Sequence, residues 1–266
     1  MNKVNLFIVG AQKCGTTTLA SWLKNHHDVS VLHIKESQLF SWQLDENPNM
    51  DIKAYHDWEF KKNAKIMVDA STTYTFYNVS ERVAKRIFEY NKDAKIIYLV
   101  KNPIDRVHSH YVHQLLRGKK MLPIEEEVLQ DSLIGNSSYY SCIIPFYKIF
   151  PEKQILTIEM TDLLTLKTSF RKKLEQFLEI NLSDLPIMPN ANRGVENSVS
   201  TYQYITYKKL FLRFFPDRFQ IYIKRKFFLN RLKEKPELSE STREKIKLIL
   251  ADEMEMFYSL TGIDYR

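Results

Sequence analysis

The amino-acid sequence predicts an α/β chain: a central, mainly parallel sheet flanked by helices, followed by a helical C-terminal part. Three observations carry this expectation. Short, continuously apolar runs mark strands buried on both faces, as a parallel sheet requires. Helical periodicity fills the intervals between those runs, the signature of strand–helix–strand crossovers. The final third shows no strand alternation and ends in a long helical pattern. One unit spanning 1–266 is expected, with a core over 1–199, a helical basic and aromatic segment over 200–235, and a closing helix over 239–262.

Residues 4–9 (VNLFIV) form the first strand, and 16–25 follow as a helix with Leu19, Trp22 and Leu23 on one face. Residues 29–32 are a short further strand candidate, and 66–68 are a strand that ends in Asp69. The 81–90 segment places Val83, Ile87 and Tyr90 at helical spacing. The 95–100 strand (KIIYLV) is stopped by Asn102-Pro103, and a proline at a helix start suits the 104–116 pattern that follows. Helices are expected over 139–150 and 163–178, around a strand at 154–158. Lys235-Pro236 breaks the chain before the closing helix, which Ser239, Ser241 or Thr242 would cap and Gly262 would end.

Composition bounds the function. Hydrophobic residues at 44% and charged residues at 27% are those of a globular chain, which excludes a disordered one. Lys plus Arg is 39 against 32 for Asp plus Glu, a net charge of +7 that favours an anionic ligand or surface. Two cysteines, Cys14 and Cys142, make neither a disulfide framework nor a four-ligand zinc site. A soluble, cytoplasmic protein is expected, because no apolar run is long enough for a leader or a spanning helix.

The chain has only six glycines, and Gly10 and Gly15 lie five residues apart between the first strand and the first helix. The segment Gly10-Ala11-Gln12-Lys13-Cys14-Gly15-Thr16-Thr17 therefore reads as a phosphate cradle. Unpaired N–H groups and the helix dipole meet an anion there, and glycine lets the backbone approach it closely. The core is P-loop-like, with one displacement. The nucleotide triphosphatase pattern has lysine directly after the second glycine, whereas here Thr16 stands in that place and the lysine, Lys13, lies inside the loop.

GAQKCGTTTL resembles the 5′-phosphosulfate-binding loop of the sulfotransferases, enzymes that take a sulfuryl group from 3′-phosphoadenosine 5′-phosphosulfate (PAPS). The resemblance implies that Gln12, Lys13, Cys14, Gly15, Thr16, Thr17 and Thr18 hold the 5′-phosphate end. The segment from Lys101 to Tyr111 (KNPIDRVHSHY) is similar to the family's 3′-phosphate motif. Lys101 and Ser109 would be the clamp, with lysine, a point charge, in place of the usual bidentate arginine. Tyr139-Tyr140 resembles the start of the stretch beside the adenine, which puts Tyr140 at the donor, and Arg193 and Gly194 fall where the family closes a loop over the 3′-phosphate.

Lys35-Glu36 followed by Phe40 resembles the Lys-Glu-x-x-x-Phe segment of carbohydrate-directed members, in which the glutamate is the general base. Gln38 and Ser41 depart from the usual histidine and aspartate, and Ala70 from the usual lysine after the strand-end acid. Glu36 is thus the first candidate base and His33 the second, with Lys13 stabilising the leaving phosphate and Lys35 at the sulfonate. Asp69 is expected to line the acceptor pocket. The implied reaction is in-line transfer from PAPS to a hydroxyl of a carbohydrate or glycolipid, leaving adenosine 3′,5′-bisphosphate, with no metal and no nucleic-acid partner. O- and N-sulfation both remain open.

Two other readings are carried. A P-loop kinase or nucleotide triphosphatase would use Thr17 and Asp69 around Mg·ATP. A non-enzymatic module would bind an anionic surface through 207–233, where basic and aromatic residues alternate and a peripheral membrane contact or an acidic glycan would fit.

Overall fold

A computed structural model describes residues 3–34, 36–60, 64–117, 119–165, 168–186 and 236–266. Five strands form one sheet in the order β2-β3-β1-β4-β5: β1 (Leu6–Gly10), β2 (Val29–Val31), β3 (Ile66–Ala70), β4 (Lys95–Val100) and β5 (Ile155–Glu159). Every pairing is parallel; Leu6 stands opposite Val68 of β3 and Lys95 of β4. The first strand is therefore central, and β1 and β3 are buried along their whole length. That is why both read as continuous apolar runs rather than alternating ones.

All five carboxyl ends point to the same edge of a parallel sheet. Helices Thr16–Leu23, Ser80–Tyr90, Pro103–Leu116 and Tyr139–Tyr147 start near the expected positions and pack as amphipathic crossovers. The sheet and its helices bury one large core, which includes Phe7, Phe40, Tyr74, Tyr98, Phe146 and Phe257. A second cluster joins Val107 and Tyr111 of the 103–116 helix to Leu238, Ile246, Leu250 and Met254, so the C-terminal helices seal that flank.

Within the 163–178 pattern the described residues form the helices Met160–Thr165 and Thr168–Leu178. The closing helix is Glu240–Ile249 followed by Ala251–Thr261, with Leu250 at the joint. Leu250 departs from helical geometry there (φ −95, ψ 4), but its N–H still donates to Ile246 O and it is buried with Ile246 and Met254 in the second cluster. Gly262 ends the pair in the left-handed conformation.

Ser239 is the cap: its Oγ accepts from Thr242 N at 3.3 Å. The Ser239 N–H and hydroxyl both donate to Glu125 at 3.0 Å, and the Thr242 hydroxyl donates to the same carboxylate. Ser239→Ala is expected to cost about 1 kcal/mol. A shift of the urea midpoint at unchanged slope checks this; an unmoved midpoint would show that the cap contributes nothing. No helix among the described residues is long and apolar enough to cross a membrane.

Candidate functional site

The site is built where β3, β1 and β4 end side by side. From β1 the chain passes through residues 11–15 into the helix Thr16–Leu23. Gly10 permits close approach, since a Cβ there would overlap the Thr75 hydroxyl that donates to Val9 O at 2.9 Å. Gly15 adopts φ +90, open to glycine at little cost, and no side chain caps the helix. The first bond into the helix is Leu19 N to Gly15 O at 3.0 Å, so the N–H groups of Thr16, Thr17 and Thr18 precede the helical ladder.

Within this loop the side chains divide by depth. Thr17 is exposed; Gln12, Lys13 and Thr18 are half-buried; Thr16 and Cys14 are buried. The Cys14 thiol turns inward, 3.6 Å from Tyr139 Oη, and burial pushes its pKa up. Its side chain is part of the core, and only its backbone belongs to the loop. Lys13 has φ 73, a left-handed conformation in a residue that is not glycine.

The next strand delivers the second basic group. Ala11 N donates to Leu99 O at 2.6 Å and Tyr139 Oη donates to Lys101 O at 2.9 Å, fastening the two loops together. Lys101 is half-buried, and desolvation lowers its pKa, with Asp105 opposing. Asn102 Oδ1 accepts from Ile104 N at 3.0 Å and caps the Pro103–Leu116 helix itself. Lys101 precedes this capped helix start, and Ser109 is half-buried two turns into the helix.

Beneath them Arg106 is fully buried. It donates to Ser137 Oγ at 2.5 Å and Leu133 O at 2.6 Å, and its Nη1 lies 3.5 Å from His110 Nδ1. Burial first, and the Arg106 charge second, lower the His110 pKa to about 3, so this ring is neutral at pH 7. The charges of His113, Lys119 and Lys13 contribute to the same lowering. Tyr140 is half-buried on the Tyr139–Tyr147 helix and packs against the main core.

Glu36 sits at the third strand end. Its N–H donates to Ala70 O at 3.2 Å, continuing the β3 edge beyond the last ladder residue. Its Oε2 accepts from Thr72 N at 2.7 Å and Thr72 Oγ1 at 2.9 Å, and a second tie runs between Ser41 and Thr73 hydroxyls at 2.9 Å. Charged carboxylates are well served by such donors. His33 is exposed in the turn before it. Lys35, Arg193, Gly194 and the whole 200–235 segment lie outside the described residues.

Asp69 differs from expectation. It is fully buried and accepts hydrogen bonds from Ser37, Ser71 and Tyr74 hydroxyls, so it lines no open pocket. The strand-end acid reads from sequence as an exposed ligand because nothing local marks three hydroxyls arriving from other positions. Thr72 likewise carries no sequence signal as the partner of Glu36, thirty-six residues away.

Among the described residues, His26, His27 and Asp28 are one group near enough to share a cation. Both His26 nitrogens are engaged, with Asn181 O at 2.8 Å and with Asp28 N at 3.1 Å, and these residues follow the far end of the first helix. They are a turn structure rather than part of this site.

Comparison with known proteins agrees with the fold. A family model for the sulfotransferase domain matches residues 3–254. The chain is 28% identical over 196 residues to human bifunctional heparan sulfate N-deacetylase/N-sulfotransferase 2, covering 65% of this chain and 22% of that protein. It is 24% identical over 273 residues to human heparan sulfate glucosamine 3-O-sulfotransferase 5, covering 96% of this chain and 71% of that protein. The chain thus spans less than a quarter of the length of the bifunctional relative. A solved sulfotransferase from Alicyclobacillus acidocaldarius superposes with a TM-score of 0.70 at 19% identity over 99% of this chain and 98% of its own, which shows the shared fold. With the family model covering nearly the whole sequence, the chain belongs to the sulfotransferase domain family.

Proposed function

We propose that this protein transfers the sulfuryl group of PAPS to a carbohydrate or lipid-linked acceptor, with Glu36 as the base. The observation that carries the reading is the convergence at adjacent strand ends of Lys13 with an uncapped helix start, of Lys101, and of Glu36. The donor set fits a doubly phosphorylated nucleotide: the N–H groups of Thr16–Thr18 and the Lys13 cation suit the 5′-phosphosulfate, and Lys101 with Ser109 suits the 3′-phosphate. Tyr140 would lie at the adenine, and Arg193 and Gly194 would close over the 3′-phosphate.

In the reaction the acceptor oxygen or nitrogen attacks sulfur as the bond from sulfur to the phosphate oxygen breaks. The departing electron pair stays on that phosphate, where Lys13 offsets the charge. The acceptor proton passes to Glu36, which Thr72 holds at a fixed place through its other contacts. His33, exposed before Glu36, is the alternative base, and Lys35 the further candidate at the sulfonate. The sealed burial of Asp69 argues against its use as the acidic partner of a Mg·ATP site. Both N- and 3-O-sulfotransferases of heparan sulfate occur among the relatives, so a glycan acceptor is supported and either atom remains an acceptor candidate. In this reading the protein is cytoplasmic, and 207–233 faces an acidic or lipid-linked acceptor, or an anionic membrane.

Calorimetric titration without added metal tests the donor class. Adenosine 3′,5′-bisphosphate is expected to bind tightly and ATP with Mg²⁺ weakly. Preference for Mg·ATP would replace this reading with a kinase or nucleotide triphosphatase. Binding of neither would move the function to the basic aromatic segment.

A further inference from the structure

Asp69 is the hub of a buried hydroxyl network, in which Ser37 Oγ also lies 3.1 Å from Ser71 Oγ and 3.0 Å from Tyr74 Oη. A carboxylate only accepts, whereas a hydroxyl has one proton and two lone pairs. Tyr74 Oη donates to Asp69 Oδ2 at 2.7 Å, Ser37 Oγ donates to the same oxygen at 2.8 Å, and Ser71 Oγ donates to Oδ1 at 3.0 Å. With its proton drawn to Asp69, each hydroxyl presents its lone pairs to the backbone. Ser71 Oγ accepts from Gln38 N at 3.1 Å, Ser37 Oγ from Leu39 N at 3.3 Å, and Tyr74 Oη from Phe40 N at 3.4 Å. These three N–H groups open the π-helical turn Leu39–Gln43, whose N-cap, Gln38, has no side-chain bond of its own.

The segment so held is strained. Glu36 and Gln38 have φ of 60 and 56 on either side of Ser37, and non-glycine residues stay in that region only where surrounding bonds over-determine them. On the far side, Arg86 donates to Phe40 O at 3.1 Å and Arg82 to Ser41 O at 3.3 Å. We infer that Asp69 is a positioning residue: through three hydroxyls it caps the 38–40 amides and fixes the backbone that presents Glu36. This rests on the reading of Glu36 as the base.

Burial raises the Asp69 pKa to about 6, opposed by its hydroxyl donors and reinforced by the Glu36 charge. The other titratable groups facing it are Tyr74, held well above its ordinary value, and Tyr90, pushed up to about 12, so neither ionises in the same range. A raised carboxyl pKa means that the acceptor state exists above about pH 6 and is lost as pH falls through it. Protonated Asp69 must itself donate, which reverses at least one hydroxyl.

The first test is amide NMR. The Gln38, Leu39 and Phe40 resonances are expected to titrate together near pH 6, to lose that step in Asp69→Asn, and to keep it in Glu36→Gln. Kinetics with PAPS and heparan sulfate as the probe acceptor should show kcat down roughly ten-fold to a hundred-fold in Asp69→Asn. The affinity for adenosine 3′,5′-bisphosphate should stay within about two-fold, as the donor loops are untouched. Ser37→Ala, which removes one link, should show the same split at smaller size and serves if Asp69→Asn does not fold. Amides that do not titrate, or a kcat loss matched by an equal loss of nucleotide affinity, would overturn the inference. If Glu36→Gln turns over normally while the amides still titrate, it is the assignment of the base that fails.

Discussion

Lys13→Ala is expected to abolish most sulfuryl transfer, lowering kcat by roughly a hundred-fold to a thousand-fold, the usual loss when one group that stabilises transition-state charge is removed. The reason is specific to the step. As the bond to sulfur breaks, negative charge builds on the 5′-phosphate, and the lysine lies in the loop that would receive it. The N–H groups of Thr16, Thr17 and Thr18 would still bind the ground-state phosphate, so the KM for PAPS should rise less than kcat falls. Initial rates with labelled PAPS and heparan sulfate would measure both. Backbone strain is a confounding effect, because Lys13 has φ 73. Lys13→Asn controls for it, since asparagine tolerates the left-handed region. An equal loss in both variants assigns the effect to the charge. Near-normal turnover in Lys13→Asn would remove Lys13 from the mechanism.

Glu36→Gln has the other large expected effect: kcat falls by about a hundred-fold to ten-thousand-fold, the range for loss of a general base. Binding of adenosine 3′,5′-bisphosphate should remain within about two-fold. The amide is nearly the shape of the carboxylate, and its oxygen can still accept from Thr72 N, so the loop should keep its place. What it cannot do is take a proton. Calorimetry and rate measurement on the same preparation separate the two properties. Normal turnover would pass the base role to His33, and His33→Ala would then carry the loss.

Much of the arrangement was legible in the chain. Apolar runs at 4–9, 66–68, 95–100 and 154–158, with the short candidate at 29–32, gave the five strands, because a strand buried on both faces has no polar side to show. The loop between the first strand and the first helix could be read because its residues are contiguous. Glycine, lysine and threonine at fixed spacing between a strand and a helix state their geometry locally. Gly262 was readable as a helix end for the same reason, while the structure selected Ser239 among three candidate caps.

Contacts between distant segments were not legible. Thr72 as the holder of Glu36, Tyr139 as the bond between the loops after the first and fourth strands, and Ser37, Ser71 and Tyr74 around Asp69 depend on chain order in the sheet. The strand order 2-3-1-4-5 brings residues 36 and 72 to one edge and residues 13 and 101 to the neighbouring strands. The same packing turned the Cys14 thiol inward and closed Asp69 from solvent. By itself the sequence determined the fold class, the loop between the first strand and the first helix, and the helix end at Gly262, since each is set by local backbone geometry and side-chain periodicity. Only the tertiary structure decided which polar groups meet and which are sealed, because burial and hydrogen-bond partnership are properties of segments far apart along the chain.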